Sequence, residues 1–193
     1  MFRFFEDILP PTRERPVVTP PPGLLAFYWH FAGQARWLFA VLFVAGLIVA
    51  VLDASIPYFI GRLVTLISTT PREALLDEGW PLLTAMLLVV LIGRPTAVAF
   101  QSLVSNQAIA ANVTNLIRWQ SHRHVVRQSW PFFQNDFAGR IASRVMETGY
   151  ALRESVVTSI NAIWGIIVYG VSALVLLAGV EPVLAIPLFA WFL

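Results

Sequence analysis

The 193-residue chain contains no cysteine and no lysine, and only 12% of its residues are charged. Without cysteine it has no disulfide bond, no thiol chemistry and no cysteine-ligated metal site. Soluble domains carry about 25% charged residues, whereas this chain is 58% hydrophobic and has a mean hydropathy of +0.72. The composition therefore predicts a membrane protein.

Motifs for catalysis and metal binding are also lacking. The sequence has no GxxxxGK(S/T) phosphate-binding loop, no HExxH and no GxSxG. His122 and His124 are two residues apart and would lie on different faces of a helix, which disfavours a metal site. A net charge of +2 is too small to indicate nucleic-acid binding. We therefore predict no catalytic residue, no metal ion and no nucleic-acid partner for this chain.

Long apolar runs, separated by polar or proline-rich stretches, predict an all-α membrane protein. About 20 apolar residues suffice to cross the hydrocarbon core. The eleven residues from Val183 are too few to cross, so the sequence looks interrupted in the middle of a span. The predicted parts are a proline-rich cytoplasmic tail (1–22), a short elbow helix (23–34), helix one (36–67), helix two (80–129), a connector (130–140), helix three (141–178) and the start of helix four (183–193).

The elbow helix has an apolar face. Leu24, Phe27, Tyr28 and Phe31 follow the i, i+3, i+4, i+7 spacing of one helical face. We predict that this face lies along the membrane surface. The alternative is that these residues form only the first turns of helix one.

Arginine is concentrated in two places. The tail up to Arg36 has four arginines and the stretch from Arg118 to Glu154 has six, whereas the loop at 68–79 has one. Because cytoplasmic segments carry an excess of arginine, the N-terminus and the 118–154 stretch are predicted to be cytoplasmic. Helix two becomes amphipathic after about residue 104 without a helix-breaking residue. Helices two and three are therefore predicted to extend into the cytoplasm and meet at the connector.

Two charged residues interrupt the apolar runs of the first two spans. Counted from the outer ends of helices one and two, Asp53 and Arg94 both lie roughly 20 Å deep at 1.5 Å per residue. An isolated charge in a membrane is costly and normally has a partner. We therefore predict that Asp53 and Arg94 pair or share a polar cavity. They would either line a substrate path or form an ion pair that fixes the register of the two helices.

This arrangement resembles the transmembrane domain of ATP-binding cassette (ABC) exporters. The most specific match begins at Phe132-Phe133, continues through Gly139 and ends at Ser143-Arg144-Val145. The elbow helix, the proline-containing segment Ile56–Val64 and Arg94-Pro95 add to the resemblance. Two departures leave the substrate open: Met146-Glu147-Thr148 stands where the family often has an aspartate, and Thr65 stands where helix one often ends with an acidic residue.

The resemblance implies the first half of a six-helix exporter domain, without helices four to six and without the ATPase domain. It implies that the connector forms the first coupling helix, which docks on a nucleotide-binding domain, with Gly139 permitting the turn into helix three. The coupling residues it implies are Phe133, Gln134, Asn135, Asp136, Phe137 and Gly139.

The resemblance also implies partners and a location. The partners are a nucleotide-binding domain, a second subunit that is identical or different, and the bilayer of the inner (cytoplasmic) membrane. The parent would be an ATP-hydrolysing translocase. ATP and magnesium would bind the nucleotide-binding domain, and this chain, which has no ATPase motif, would hold no cofactor.

Two alternatives come from other classes. The first is a membrane remnant or scaffold that does not transport. The second is a secondary transporter, which would carry inverted repeats and interrupted helices near the membrane midplane. No repeat is detectable here, and the long cytoplasmic extensions disfavour the secondary transporter.

Overall fold

The computed structural model describes residues 21–71 and 73–181, together with the isolated positions 8, 9, 12, 183, 186, 187, 189 and 190. Most of the predicted tail and of the predicted start of helix four therefore lies outside the described residues.

The protein is an all-α membrane protein, and the described ranges contain helices without any strand. Three stretches are long and apolar enough to cross a membrane: Leu24–Thr69, Asp77–Val125 and Ala138–Gly179. The α-helices are α1 (Leu24–Ala32), α2 (Arg36–Thr69), α3 (Leu75–Leu88), α4 (Arg94–Leu103), α5 (Ala111–Val125), α6 (Trp130–Gln134), α7 (Ala138–Trp164) and α8 (Gly170–Val180). A 3₁₀ turn (Gly33–Ala35) joins α1 to α2, and three π-helical segments (Val89–Gly93, Val104–Ala110 and Gly165–Tyr169) join α3 to α4, α4 to α5 and α7 to α8.

Helix α3 begins five residues before the predicted start of helix two. Asp77 and Glu78, which the sequence suggested were loop residues, lie in its first turn. Carboxylates are favourable there because the N-terminus of a helix carries partial positive charge. The polar character of this stretch therefore marks a helix start as well as a loop.

The π-helical segment Val89–Gly93 ends just before Arg94 and Pro95. The Arg94 amide bonds to the Val89 carbonyl, five residues back. A proline within an α-helix lacks the amide hydrogen and clashes with the carbonyl four residues earlier. The wider turn thus lies immediately before the residues that interrupt the apolar run of this span.

The chain divides into two units. Met1–Phe43 and Ser102–Ile160 form the first, and Val44–Gln101 and Asn161–Leu193 form the second. We call them the arginine-rich unit and the apolar unit, because ten of the thirteen arginines belong to the first.

The arginine-rich unit contains a dense core. Its largest fully buried side chains come from α1, α2, the second π-helical segment and α5: Phe31, Leu38, Leu42, Ile109, Val113, Leu116 and Ile117. Leu152 and Val157 of α7 complete the cluster.

Helix α1 packs against protein with the face that was predicted to lie on the membrane. Phe31 is 1% exposed, and Phe27 and Tyr28 pack against the core. The Tyr28 hydroxyl donates to Ser155 Oγ at 3.2 Å. The sequence-based prediction of which face meets the membrane was therefore wrong for these residues, and the exposed apolar residues of α1 include Leu25 and Trp29.

Two side-chain amides connect the 3₁₀ turn that follows α1 to helix α5. Gln34 Nε2 donates to Gln120 Oε1 at 3.2 Å, and Gln120 Nε2 donates to Gln34 Oε1 at 2.7 Å. Each amide thus supplies both a donor and an acceptor, which fixes the position of the short helix against α5.

Replacing Gly149 by alanine should destabilise the arginine-rich unit. A Cβ atom at Gly149 would lie 2.9 Å from the Thr114 carbonyl oxygen and 3.0 Å from Arg118 Cγ, so α5 and α7 would have to separate. Overpacking of this kind costs about 1–3 kcal/mol. The measurement is the temperature at which detergent-solubilised protein loses its monodisperse chromatographic peak.

Gly139→Ala is the matched control, because Gly139 lies in the same helix and a Cβ there would meet nothing within 4 Å. The temperature at which the Gly139→Ala variant loses its monodisperse peak should equal or exceed that of the unchanged protein, since glycine weakens helices. Equal midpoints for the Gly149 and Gly139 variants would contradict the close-packing argument.

Candidate functional site

Three helical stretches of the apolar unit contribute to one charge cluster. Asp53 lies on α2, Arg94 is the first residue of α4, and Tyr169 is the last residue of the third π-helical segment. Arg94 Nε donates a hydrogen bond to Asp53 Oδ1. The Tyr169 hydroxyl donates to Asp53 Oδ2 at 2.8 Å. Each oxygen of the carboxylate therefore has a donor.

The two side chains of the ion pair differ in their exposure. The Asp53 side chain is 17% exposed, whereas the Arg94 side chain is 45% exposed. A sheltered carboxylate needs hydrogen-bond donors more than an exposed guanidinium needs acceptors. Asp53 is therefore the centre of the cluster, and the structure brings together the two charges that the sequence predicted to pair or share a polar cavity.

A cavity of about 120 Å³ adjoins this cluster. Its polar lining comes from residues of α2, α4, α7 and the third π-helical segment: Asp53, Gln101, Asn161, Trp164 and Tyr169. Gln101 Nε2 donates to Asn161 Oδ1 at 3.1 Å. Four of these five residues were not singled out from the sequence, because single amides and aromatic residues within or beside predicted spans carry no distinguishing pattern.

Gly46 makes room for one wall of the cavity. A Cβ at Gly46 would lie 2.9 Å from Trp164 Cδ1, so the indole ring packs directly against the backbone of α2. A larger side chain at position 46 would displace the ring. The cavity therefore has a flat aromatic wall beside a hydrogen-bonded amide pair.

The connector forms a separate candidate site in the arginine-rich unit. Helix α6 (Trp130–Gln134) has a proline in its first turn, where the missing amide hydrogen leaves no internal bond unmade. Asn135, Asp136 and Phe137 then break the helix before α7 begins at Ala138. The last three residues of the predicted connector, 138–140, thus belong to α7.

Asp136 organises the start of α7. Its Oδ1 accepts a hydrogen bond from the Phe137 amide at 2.8 Å. The same oxygen forms an ion pair with Arg140 Nη1 at 3.0 Å. Its Oδ2 lies 3.5 Å from Arg144 Nη1. A negative charge is also favourable at this end of the helix. Asp136 therefore stabilises the bend by which the chain enters α7.

The connector exposes large aromatic side chains. Trp130 is 72% exposed and Phe137 is 75% exposed. Phe132 and Phe133 pack edge to face with centroids 5.3 Å apart, and Phe133 also lines an apolar cavity of about 300 Å³ with residues of α5 and α7. The structure thus places Phe133 against its own unit and leaves Phe137 accessible. Gln134 and Asn135 are exposed between them.

Gly139 does not have the conformational role that the sequence suggested. It lies inside α7 with a negative φ angle, and a Cβ there would meet nothing within 4 Å. The turn into α7 is made by residues 135–137. The structure therefore gives no steric or backbone reason for glycine at position 139.

Within the described ranges, no group of three or more histidine, cysteine, aspartate or glutamate residues is arranged to hold a metal ion. His124 instead contacts Gln128 in the same turn, with ring Nε2 3.1 Å from Gln128 Nε2.

Comparison with known proteins identifies the family. The model of the ABC transporter transmembrane region matches residues 39–193, so the chain belongs to this family. It is 32% identical over 196 residues to a Haemophilus influenzae protein described as an "Uncharacterized ABC transporter ATP-binding protein". That match covers the entire chain but 31% of the relative, so the chain spans about a third of the relative's length. No solved structure matches.

Proposed function

We propose that the chain is the membrane-spanning part of an ATP-driven exporter, in which the connector docks on a nucleotide-binding domain and the spans line the substrate path. The observation that carries the proposal is the exposed aromatic connector. Trp130 is the first residue of α6 and Phe137 is the last residue of the break before α7, in a chain whose residues 39–193 match the family model. Exposed aromatic residues on a polar surface are typical of protein–protein contact sites.

The partner at the connector is a domain that binds ATP and magnesium, since this chain carries no phosphate-binding loop. The name of the relative, which includes the words "ATP-binding protein", supports that partner. The contact residues are Phe137 and Trp130, with Gln134 and Asn135 between them. Asp136 acts indirectly by holding the bend, because its carboxylate is occupied by Arg140 and Arg144.

In the spans, the charge cluster and its adjoining cavity form part of the substrate path. Polar and charged side chains within a membrane are costly, and they are retained where they face a cavity or a partner. Asp53, Arg94 and Tyr169 satisfy each other, while the adjoining cavity offers further polar groups. The assembly would sit in the inner membrane with a second subunit, identical or different, and with a cytoplasmic N-terminus.

The orientation of the connector tests this proposal directly, because a segment outside the cell cannot meet a cytoplasmic ATPase. The chain has no cysteine, and serine-to-cysteine changes are small. Ser129→Cys, beside the connector, should react with a membrane-impermeant maleimide only after cells are permeabilised. Ser68→Cys, near the end of α2, should react in intact cells. Both positions are exposed. Labelling of Ser129→Cys from outside would overturn the proposal.

A further inference from the structure

We infer that the cavity beside the charge cluster binds a neutral group that both donates and accepts hydrogen bonds, such as a carboxamide or a pair of hydroxyls, and that this group is the head of the transported molecule. The inference rests on the proposed function, which leaves the substrate class open. It is carried by the charge balance, the hydrogen-bonding capacity and the size of the cavity.

The charge balance disfavours a charged ligand. Of the described residues that line the cavity, only Asp53 is charged, and its two oxygens already accept hydrogen bonds from Arg94 and Tyr169. An ammonium group would meet a carboxylate whose charge Arg94 already balances, and it would be repelled by that guanidinium. An anionic group would be repelled by the carboxylate. A neutral group meets neither cost.

The amide pair supplies the hydrogen bonds. The bond from Gln101 Nε2 to Asn161 Oδ1 uses one hydrogen of the first amide and one lone pair of the second. A carboxamide side chain has two hydrogens and a carbonyl oxygen with two lone pairs. The pair thus has the chemical capacity for further donors and acceptors towards the cavity that both residues line. A ligand with only apolar groups would desolvate these amides without replacing their bonds.

The size of the cavity limits the ligand to a head group. Its volume of about 120 Å³ is somewhat smaller than that of an engineered protein cavity of about 150 Å³ that binds one benzene molecule. The Trp164 ring, held against Gly46, provides a flat wall for the apolar atoms next to that head. A larger transported molecule would place only its head here and its remainder outside the cavity, as an amphiphile with a small neutral head would do.

A single cysteine in the cavity tests this inference by ligand protection. Gly165 lines the cavity, and a Cβ there would meet nothing within 4 Å, so Gly165→Cys introduces one thiol into a chain that has none. The control is Gly179→Cys, at an exposed position of α8 that is equally free of neighbours. The measured quantity is the rate at which N-ethylmaleimide alkylates the introduced cysteine, followed on the peptide that contains it, in membranes that contain the full-length protein.

Four probes share an alkyl chain and differ in the head: octanamide, 1,2-octanediol, octanoate and octyltrimethylammonium. Octanamide or the diol should slow alkylation of Gly165→Cys saturably, by about tenfold at ten times the dissociation constant by mass action. The two charged probes should not, and Gly179→Cys should be unaffected by all four. Which of the two neutral probes protects distinguishes an amide from a hydroxyl ligand.

The binding residues are tested by adding Gln101→Leu and Asn161→Leu together, which removes both partners of the amide bond and so leaves neither unpaired. Protection should then be lost. Equal protection by charged and neutral probes, protection that survives the double change, or no protection by either neutral probe would overturn the inference. If the protein transports in an ATP-driven manner but no probe protects Gly165→Cys, the ligand site is refuted and the proposed function stands. If a neutral probe protects Gly165→Cys but no ATP-driven transport is found, the proposed function is refuted and the ligand site stands.

Discussion

Arg94→Gln should lower the yield of folded protein, and transport with it, more than the double change Asp53→Asn with Arg94→Gln. The single change leaves the sheltered Asp53 carboxylate with only the Tyr169 hydroxyl as a donor. A charged aspartate at the centre of a membrane helix costs about 2.5–3.5 kcal/mol. The double change removes both charges, and breaking one partner of an ion pair is more damaging than replacing both.

A double-mutant cycle measures this coupling. Asp53→Asn, Arg94→Gln and the double variant are compared for the amount of monodisperse protein and for the rate of transport. Additive effects of the two single changes would show that the charges do not interact, in contradiction to their contact in the structure.

Tyr169→Phe should produce a smaller loss than Arg94→Gln, because it removes one hydrogen bond to a charged group, worth about 1.5–3 kcal/mol, and leaves the ion pair in place. Tyr58→Phe is the control, because it removes a tyrosine hydroxyl from α2 at a site outside the cluster. The Tyr58 ring, which Arg62 contacts, is retained in this variant. Equal losses in the two tyrosine variants would remove Tyr169 from the cluster.

The ion pair was predictable because depth in a membrane can be counted along a helix. Asp53 and Arg94 are the charged residues that lie deepest in the first two predicted spans, since Arg62 is much nearer the end of helix one, and a rise of 1.5 Å per residue placed both at about the same depth. Tyr169 was not predictable in this way. It lies 11 residues before the end of α8, or about 17 Å, and a tyrosine in an apolar segment is as compatible with lipid contact as with a hydrogen bond.

The π-helical segments show a second limit of the sequence. Proline does not predict them: the first lies just before Pro95, but Pro57 and Pro81 lie inside α2 and α3 without a wider turn, and the segments Val104–Ala110 and Gly165–Tyr169 contain no proline. Because π-helical turns shift the face of every later residue, a helical periodicity carried through them assigns side chains to the wrong neighbours. Gln101 and Asn161 come together in a way that no continuous periodicity indicated.

Helix α1 shows that amphipathicity does not identify the surface that covers an apolar face. The spacing of Phe27, Tyr28 and Phe31 correctly indicates one helical face. The same pattern suits contact with lipid and contact with protein, and only the packing of α1 against the core decides between them. The half-buried amide pair of Gln34 and Gln120 could not be found from sequence, since 86 residues separate its members.

Phe137→Asp should uncouple ATP hydrolysis from transport in the full-length protein. Phe137 is 75% exposed, and loss of a central aromatic contact in an interface costs about 2 kcal/mol or more, which corresponds to roughly thirtyfold weaker docking. Transport should fall by a similar factor, while nucleotide binding, which occurs on another domain, should persist. The measurements are nucleotide binding, ATP hydrolysis and transport in the same proteoliposomes.

The change is suited to separating docking from folding. The Phe137 carbonyl accepts the amides of Arg140 and Ile141 at 2.9 and 3.1 Å, so this residue precedes the first turn of α7, where aspartate is among the most favourable residues. Folding should therefore be preserved, although the change removes the contact between the Arg140 guanidinium and the Phe137 ring, 5.5 Å from the ring centroid. Val126→Asp, at a 62% exposed position in the turn before α6, is the control for an added negative charge. If Phe137→Asp transports as well as Val126→Asp, the connector does not transmit ATP hydrolysis through Phe137, and its exposed aromatic surface serves another contact.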